Sequence, residues 1–249
     1  MNIYENERID YVNDNLSLIQ KTDGLTFGTD ALLLAGYLCG KFKRGAELGG
    51  GSGIISMLML TRDKIELCDC YEIQTEYAEL IRRNAELNHL AERLHTVKAD
   101  VREYKGSGEY DLVFSNPPYM KATSGALNQK DAKTIARHEM NGDIGEFILS
   151  AKRMLRYGGT LLMVYRPDRT CDLVYEMRKN GIEPKRMTFV HAYTDSEPSM
   201  LLVEGRSGGK SGMQITKPLI LYKDRAHREY TEDVNYIMEN GSFPSEYKR

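Results

Sequence analysis

The sequence predicts an α/β fold built on a seven-stranded, mostly parallel, doubly wound sheet that closes with an antiparallel hairpin. Three observations predict it. From about residue 44 to about residue 206, strand-like runs alternate with helix-like runs, the pattern that gives a parallel sheet with right-handed crossovers. Several strand candidates are continuous apolar runs, as expected of strands covered on both faces. The last two strand candidates follow each other with no helix between them, which predicts a hairpin.

Residues 1–43 read as a strand-rich lead-in with one helix, Thr29–Leu38, whose Thr29 and Asp30 suit an N-terminal cap. Strand candidates then fall at Gly45–Leu48, Ile65–Tyr71, Leu94–Ala99, Tyr110–Ser115, Thr160–Tyr165, Arg186–His191 and Ser199–Gly205. Helix patterns lie between them at Ile54–Leu60, Thr75–Asn88, Ile144–Leu155 and Thr170–Asn180. Asp143, with Glu146 three residues on, is an acidic relative of the capping box. Gly181 sits where a glycine ends a helix. From Ser207 the chain reads as a Gly-rich turn, a strand Pro218–Tyr222 and a helix Thr231–Asn240. No repeat or linker divides it, so residues 1–249 are expected to form one domain: a lead-in (1–43), a core (44–206) and a C-terminal extension (207–249).

Composition narrows the class. With 41% hydrophobic and 28% charged residues the chain is neither disordered nor collagen-like. No run reaches about 18 apolar residues, so no membrane span is expected. The polar, acidic start is neither a signal nor a transit peptide, and a cytoplasmic protein is expected. Cys39, Cys68, Cys70 and Cys171 lack metal-ligand spacing and read as buried reduced thiols. The net charge of −2 argues against a nucleic-acid partner. Its distribution weakens that argument, since residues 1–150 carry 17 Lys/Arg against 23 Asp/Glu and the remainder 17 against 13.

The first strand of the core runs through Glu47 into Gly49, Gly51 and Gly53 and then directly into a helix. Such glycines permit positive φ and close approach of backbone to a ligand at a helix N-terminus. The dinucleotide fingerprint requires a further glycine at position 54, where this chain has Ile54. An acidic residue entering the loop favours a ligand carrying positive charge over a pyrophosphate. Glu72 ends the second core strand, suited to ribose hydroxyls, and Asp100 ends the third, suited to an adenine amino group. The fourth strand ends in Asn116-Pro117-Pro118-Tyr119, where two prolines remove two donors and stiffen the loop.

Asn116-Pro117-Pro118-Tyr119 after a buried strand resembles the N-P-P-Y signature of S-adenosylmethionine-dependent methyltransferases acting on planar amino groups. Glu47–Gly53 is similar to their first motif, and Glu72 and Asp100 match their ribose and adenine contacts. A finer resemblance, in Phe27-Gly28-Thr29-Asp30-Ala31, Ala136-Arg137-His138-Glu139, Leu202–Arg206 and Gly208-Gly209-Lys210, is to the bacterial tRNA adenine-N6 methyltransferases that modify valine tRNA next to its anticodon. Glu47 departs from it, Asp being commoner there. The resemblance implies a Rossmann-like methyltransferase sheet, S-adenosylmethionine as cofactor and tRNA as partner. Asn116 and Pro117 would accept from the target amine, Asn116 would also adjoin the cofactor, and Tyr119 would stack on the base. Glu47, Gly49, Gly51, Gly53, Glu72 and Asp100 would complete the cofactor site.

An aromatic amine is a poor nucleophile because its lone pair is delocalised into the ring. Two acceptors on its hydrogens favour a more tetrahedral nitrogen and stabilise the positive charge that builds on it. No general base is required before transfer. The same motif serves adenine N6, guanine N2 and the amide of glutamine. Only 43 residues precede the first core strand, where glutamine methyltransferases carry a helical domain, and no stretch of domain size remains for a DNA-recognition module. RNA guanine-N2 and protein glutamine remain alternatives, as does a cofactor-binding RNA adaptor without turnover. Lys121, Lys130, Lys133, Arg137 and His138 follow the motif and read as a phosphate-contacting flap, with Lys121, Arg137 and His138 as substrate contacts. Lys152, Arg153, Arg156, Arg206, Lys210 and Lys217 are candidate extensions of it. No metal or membrane partner is expected, and the chain is read as a monomer or homodimer.

Overall fold

The computed structural model describes residues 3–22, 27–117, 144–226 and 228–248. The lead-in forms a hairpin, β1 (Glu7–Asn13) with β2 (Leu16–Lys21), followed by helix α1 (Thr29–Tyr37). The core runs β3 (Phe42–Leu48), α2 (Ile54–Thr61), β4 (Ile65–Glu72), α3 (Thr75–Leu87), β5 (Leu94–Lys98) and β6 (Tyr110–Ser115). It continues through α4 (Ile144–Met154), β7 (Leu155–Tyr165), α5 (Thr170–Lys179), β8 (Ile182–His191) and β9 (Pro198–Ser207). Two short strands, β10 (Gln214–Ile215) and β11 (Leu219–Ile220), and helix α6 (Glu232–Asn240) complete the chain.

The main sheet has the order β8-β9-β7-β6-β3-β4-β5, with β9 antiparallel to both neighbours. This is the predicted parallel sheet with its terminal hairpin, and β9 inserts between β7 and β8. Among the described residues two strands join those seven in the sheet: β10, which was not expected, and β11, within the expected Pro218–Tyr222, pair in parallel with β8, making nine. The expected strand Pro218–Tyr222 is shorter, and Tyr222 instead forms an isolated bridge with Tyr230.

Both faces of the sheet are apolar because successive residues of each central strand point opposite ways. Leu112, Phe114, Leu162 and Val164 face one core with α1, α2 and the C-terminal extension. Val113, Leu161 and Met163 face the other, with α4 and α5. That two-sided burial is the reason the strands read as continuous apolar runs.

The boundary between α4 and β7 differs from the expectation. The helix stops at Met154, and Leu155 already pairs with Tyr110. The register then shifts between Tyr110 and Leu112, where Gly158 has φ +75° and any Cβ at Gly159 would lie 3.2 Å from the Tyr110 carbonyl oxygen. The strand therefore begins five residues before Thr160, through a glycine bulge that carries no strand pattern. Gly181, at φ +71°, follows α5 as expected. Asp143 lies outside the described residues. Cys68 and Cys70 are buried, whereas Cys39 is half-buried and Cys171 is exposed, so the expectation of four buried thiols is corrected for the last two. No described helix is long and apolar enough to cross a membrane.

Candidate active site

Strand order reverses at β3, which pairs with β4 on one side and β6 on the other. Crevices outside the carboxyl ends of strands at such a point are where open α/β sheets bind ligands. Glu47, the glycine loop, Glu72, Asp100, Asn116 and Pro117 all lie at that one edge.

The glycine loop is tied down by its own backbone. Gly49 and Gly50 donate to the Tyr71 carbonyl at 2.9 and 3.0 Å, and Gly53 donates to the Gly50 carbonyl at 2.8 Å. Gly49, Gly51 and Gly53 adopt φ of +72°, +55° and +79°, conformations that favour glycine. A Cβ at Gly49 or Gly51 would meet nothing within 4 Å, so both leave an open cradle above the loop. Gly50, which the motif reading passed over, needs glycine for another reason: its Cβ would lie 2.1 Å from Cys70 Sγ. Asn84, fully buried on α3, donates to the Ser52 carbonyl at 3.0 Å and also holds Ile19 of β2 through its backbone N and O. The lead-in hairpin and the loop thus share one amide, a link that no local sequence signal announces.

Glu72 supports the loop directly. Its carboxylate accepts from Gly51 N at 3.0 Å and from Gln74 N at 2.9 Å. Each carboxylate oxygen keeps a second lone pair, so these bonds leave room for hydroxyl donors. Asp100 lies two residues beyond the end of β5 and caps a short 3-10 turn, Val101–Glu103, by accepting from Arg102 N at 2.9 Å. Both of its oxygens also bind the Arg102 guanidinium, which holds the carboxyl below its usual range. An amino donor at Asp100 would meet an oxygen already shared with arginine.

Glu47 is placed otherwise than its motif suggests. It is 1% exposed, and its carboxylate accepts from the backbone N and hydroxyl of Ser56 and from Cys70 Sγ. Burial pushes its carboxyl up to about 7, against the pull of the Ser56 bonds. It lies beneath the loop and pins the first turn of α2, rather than lining the cradle.

Asn116 follows β6 directly, and Ser115 anchors that strand end by donating to the Leu48 carbonyl at 2.7 Å. Asn116 is half-buried and Pro117 buried. Asn116 Nδ2 donates to Asp30 Oδ2 at 2.7 Å. Gly28, rather than Thr29 or Asp30, stands at the N-cap of α1, which corrects the expected cap; Asp30 lies in the first turn, and its other oxygen accepts from Ala31 N at 3.0 Å. The pairing with Asn116 is not itself expected from the sequence, whose trace of it is the segment Phe27-Gly28-Thr29-Asp30-Ala31 at the helix start. Pro118, Tyr119, Lys121, Lys130, Lys133, Arg137 and His138 lie outside the described residues.

Arg206, Arg156 and Lys152 lie away from this edge, whereas Arg153 donates to the Arg102 carbonyl near Asp100 at 3.4 Å. Arg206, at the end of β9, donates to the Gly158 carbonyl at 2.8 Å, and Arg156 pairs with Asp111 near the start of β6. Lys152 donates to Ser207 Oγ at 2.8 Å, and Lys217 pairs with Asp233 at 3.0 Å. Arg156, Arg206 and Lys152 gather where β7 begins, at the opposite end of the strands from Asn116. Among the described residues, no group of three or more His, Cys, Asp or Glu is arranged to hold a metal ion.

A mostly parallel sheet whose order reverses beside a glycine loop, with an antiparallel hairpin at its end, is the arrangement of a Rossmann-like methyltransferase. The chain belongs to the methyltransferase small domain family, whose pattern matches residues 21–179. It is 28% identical over 190 residues to the tRNA1(Val) (adenine(37)-N6)-methyltransferase of Porphyromonas gingivalis, covering 72% of this chain and 73% of that protein. Its fold is similar to a crystal structure described as a predicted O-methyltransferase from Agrobacterium tumefaciens, with TM-score 0.70, 23% identity and coverage of 86% and 98%. It is also similar to TYW2 of M. jannaschii in complex with AdoMet, with TM-score 0.57, 13% identity and coverage of 83% and 87%.

Proposed function

We propose that this chain transfers a methyl group from S-adenosylmethionine to the exocyclic N6 of an adenine in tRNA, adenine 37 of valine tRNA. The observation that carries the reading is the position of Asn116-Pro117 beside the glycine cradle at one sheet edge, in a chain whose curated relatives are named for that reaction. The residues fit the cofactor: Gly49 and Gly51 leave the open cradle, Gly53 starts the helix behind it, Glu72 has lone pairs for ribose hydroxyls, and Asp100 would meet the adenine amine through a carboxylate it shares with Arg102. Glu47 acts on the cofactor at one remove, by pinning through Ser56 the first turn of the helix that follows the loop. When bound, S-adenosylmethionine supplies an electrophilic methyl on a sulfonium.

The chain's own part is to hold the amine. The Asn116 side-chain oxygen and the Pro117 carbonyl accept its two N–H groups, which draws the nitrogen lone pair out of the ring. The same oxygens stabilise the charge that grows on nitrogen. Tyr119 stacks on the base, a contact worth about 1–3 kcal/mol. Lys121, Arg137 and His138 hold the RNA backbone and base edge. An unpaired or easily splayed anticodon-loop base costs little to extrude. The lead-in and the extension act with the core as one domain, in the cytoplasm.

The test is to incubate the protein with methyl-labelled S-adenosylmethionine and total tRNA from cells lacking the modification, then to digest to nucleosides. N6-methyladenosine is the expected product. Label in guanosine supports an RNA guanine-N2 enzyme instead, and the absence of label in RNA overturns the reading.

A further inference from the structure

We propose that Asp30 is a positioning residue for methyl transfer, orienting and polarising the Asn116 amide from the start of α1. This rests on the methyltransferase reading above and adds a residue to its machinery. Asp30 and Asn116 are 86 positions apart, yet Asn116 Nδ2 donates to Asp30 Oδ2 at 2.7 Å. An acid in a helix's first turn is ordinarily explained by the helix dipole. Here that accounts for one oxygen, which accepts from Ala31 N at 3.0 Å; the other is committed to the motif.

Two consequences follow from that bond. An amide side chain has two nearly isosteric ends, and a carboxylate accepts only from the NH2 end. Asp30 therefore selects the rotamer in which Nδ2 is turned to α1 and Oδ1 is the end offered to a substrate amine. A charge-assisted bond to Nδ2 also draws electron density through the amide onto Oδ1, because linked hydrogen bonds polarise one another. An oxygen made more negative holds an amine better as that amine turns cationic, so the effect belongs to the transition state and not to ground-state binding.

α1 is fixed firmly enough for this task. Lys64 Nζ donates to the carbonyls of Ala35, Gly36 and Leu38 at 2.8, 3.2 and 3.0 Å, closing the helix's far end. Arg186 donates to the Tyr37 carbonyl beside them. Asp30 is thus presented by a helix held at its other end by the side chains of Lys64 and Arg186.

The experiment compares wild type, Asp30→Ala and Asp30→Asn for kcat and KM with tRNA, and for S-adenosylmethionine affinity by titration calorimetry. Misplacing a reacting group by about 1 Å costs about 100-fold, so Asp30→Ala is expected to lower kcat on that order while cofactor affinity and tRNA KM stay within about threefold. Asp30→Asn retains an acceptor without the charge, starts the same helix, and is expected to fall between the two. In an Asn116→Ala background, Asp30→Ala is expected to change residual kcat by less than about threefold, since the two act as one unit. Unchanged kcat in Asp30→Ala overturns the proposal. So does a loss repeated in full without Asn116, or a loss matched by equal weakening of cofactor binding, which marks a merely structural role. A wild-type chain that methylates no tRNA adenine overturns both readings, whereas an active wild type with an equally active Asp30→Ala overturns this one alone.

Discussion

Buried at the end of β3, the Glu47 carboxylate is held by Ser56 and Cys70 and raised by burial from 4.5 to about 7. In the folded chain it keeps its proton over a pH range where the unfolded chain has released it. Below about pH 4.5 both states are protonated and the group costs nothing; from there to about pH 7 stability falls as pH rises, and above 7 the penalty persists. At about 1.4 kcal/mol per pKa unit the full effect is about 3 kcal/mol. Urea denaturation of the cofactor-free protein at pH 5 and pH 8 is expected to show a smaller loss of stability for Glu47→Gln than for wild type; identical losses would refute the burial argument. Asn116→Ala is expected to keep cofactor affinity and lose about 10²–10³-fold in kcat, the usual cost of deleting one transition-state hydrogen-bonding group. Full turnover would remove Asn116 from the mechanism. At this scale the sequence shows residue types but not their surroundings. Glu47 and Glu72 look alike as strand-terminal acids, and only the fold distinguishes the one beneath the loop from the one beside it. The Asp30–Asn116 bond spans 86 positions and has no local pattern to reveal it.

Within the strand–loop–helix element, Gly50 carries a steric requirement that the motif does not state. An alanine there places Cβ 2.1 Å from Cys70 Sγ and 3.2 Å from Ile81 Cδ1. Gly50→Ala is expected to destabilise the protein by about 1–3 kcal/mol, the usual cost of overpacking, and to weaken cofactor binding by shifting the loop. Adding Cys70→Ala removes the nearest atom and is expected to restore most of both, as a double-mutant cycle by thermal denaturation would reveal; strict additivity would contradict the packing account. β5, β8 and β9 mix polar with apolar residues and are placed by the strand–helix alternation, whereas β6 and most of β7 were readable as apolar runs covered on both faces. The start of β7 was not, since Arg156, Tyr157 and Gly158 interrupt its apolar run. β10 was missed because Gln214-Ile215 offers two residues and no period.

Across the whole molecule, Arg186 joins the C-terminal extension to the sheet and to α1. It is fully buried, donates to the carbonyls of Tyr37 and Tyr247 and to Glu204, and stacks on the Tyr37 ring at 3.8 Å. Breaking a buried pair by removing one partner costs about 3–5 kcal/mol. Arg186→Met is therefore expected to lower the melting temperature sharply, and an unchanged melting temperature would show that the extension is not seated this way. The net charge of −2 looked unfavourable for a nucleic-acid partner, and charge totals say little about one edge of a sheet. The most direct test of the account uses unmodified valine tRNA transcripts with adenine or guanine at position 37. The account predicts methyl transfer that yields N6-methyladenosine at position 37 and disappears on the guanine transcript. Equal transfer to both transcripts, or methyl label recovered in protein, would contradict it.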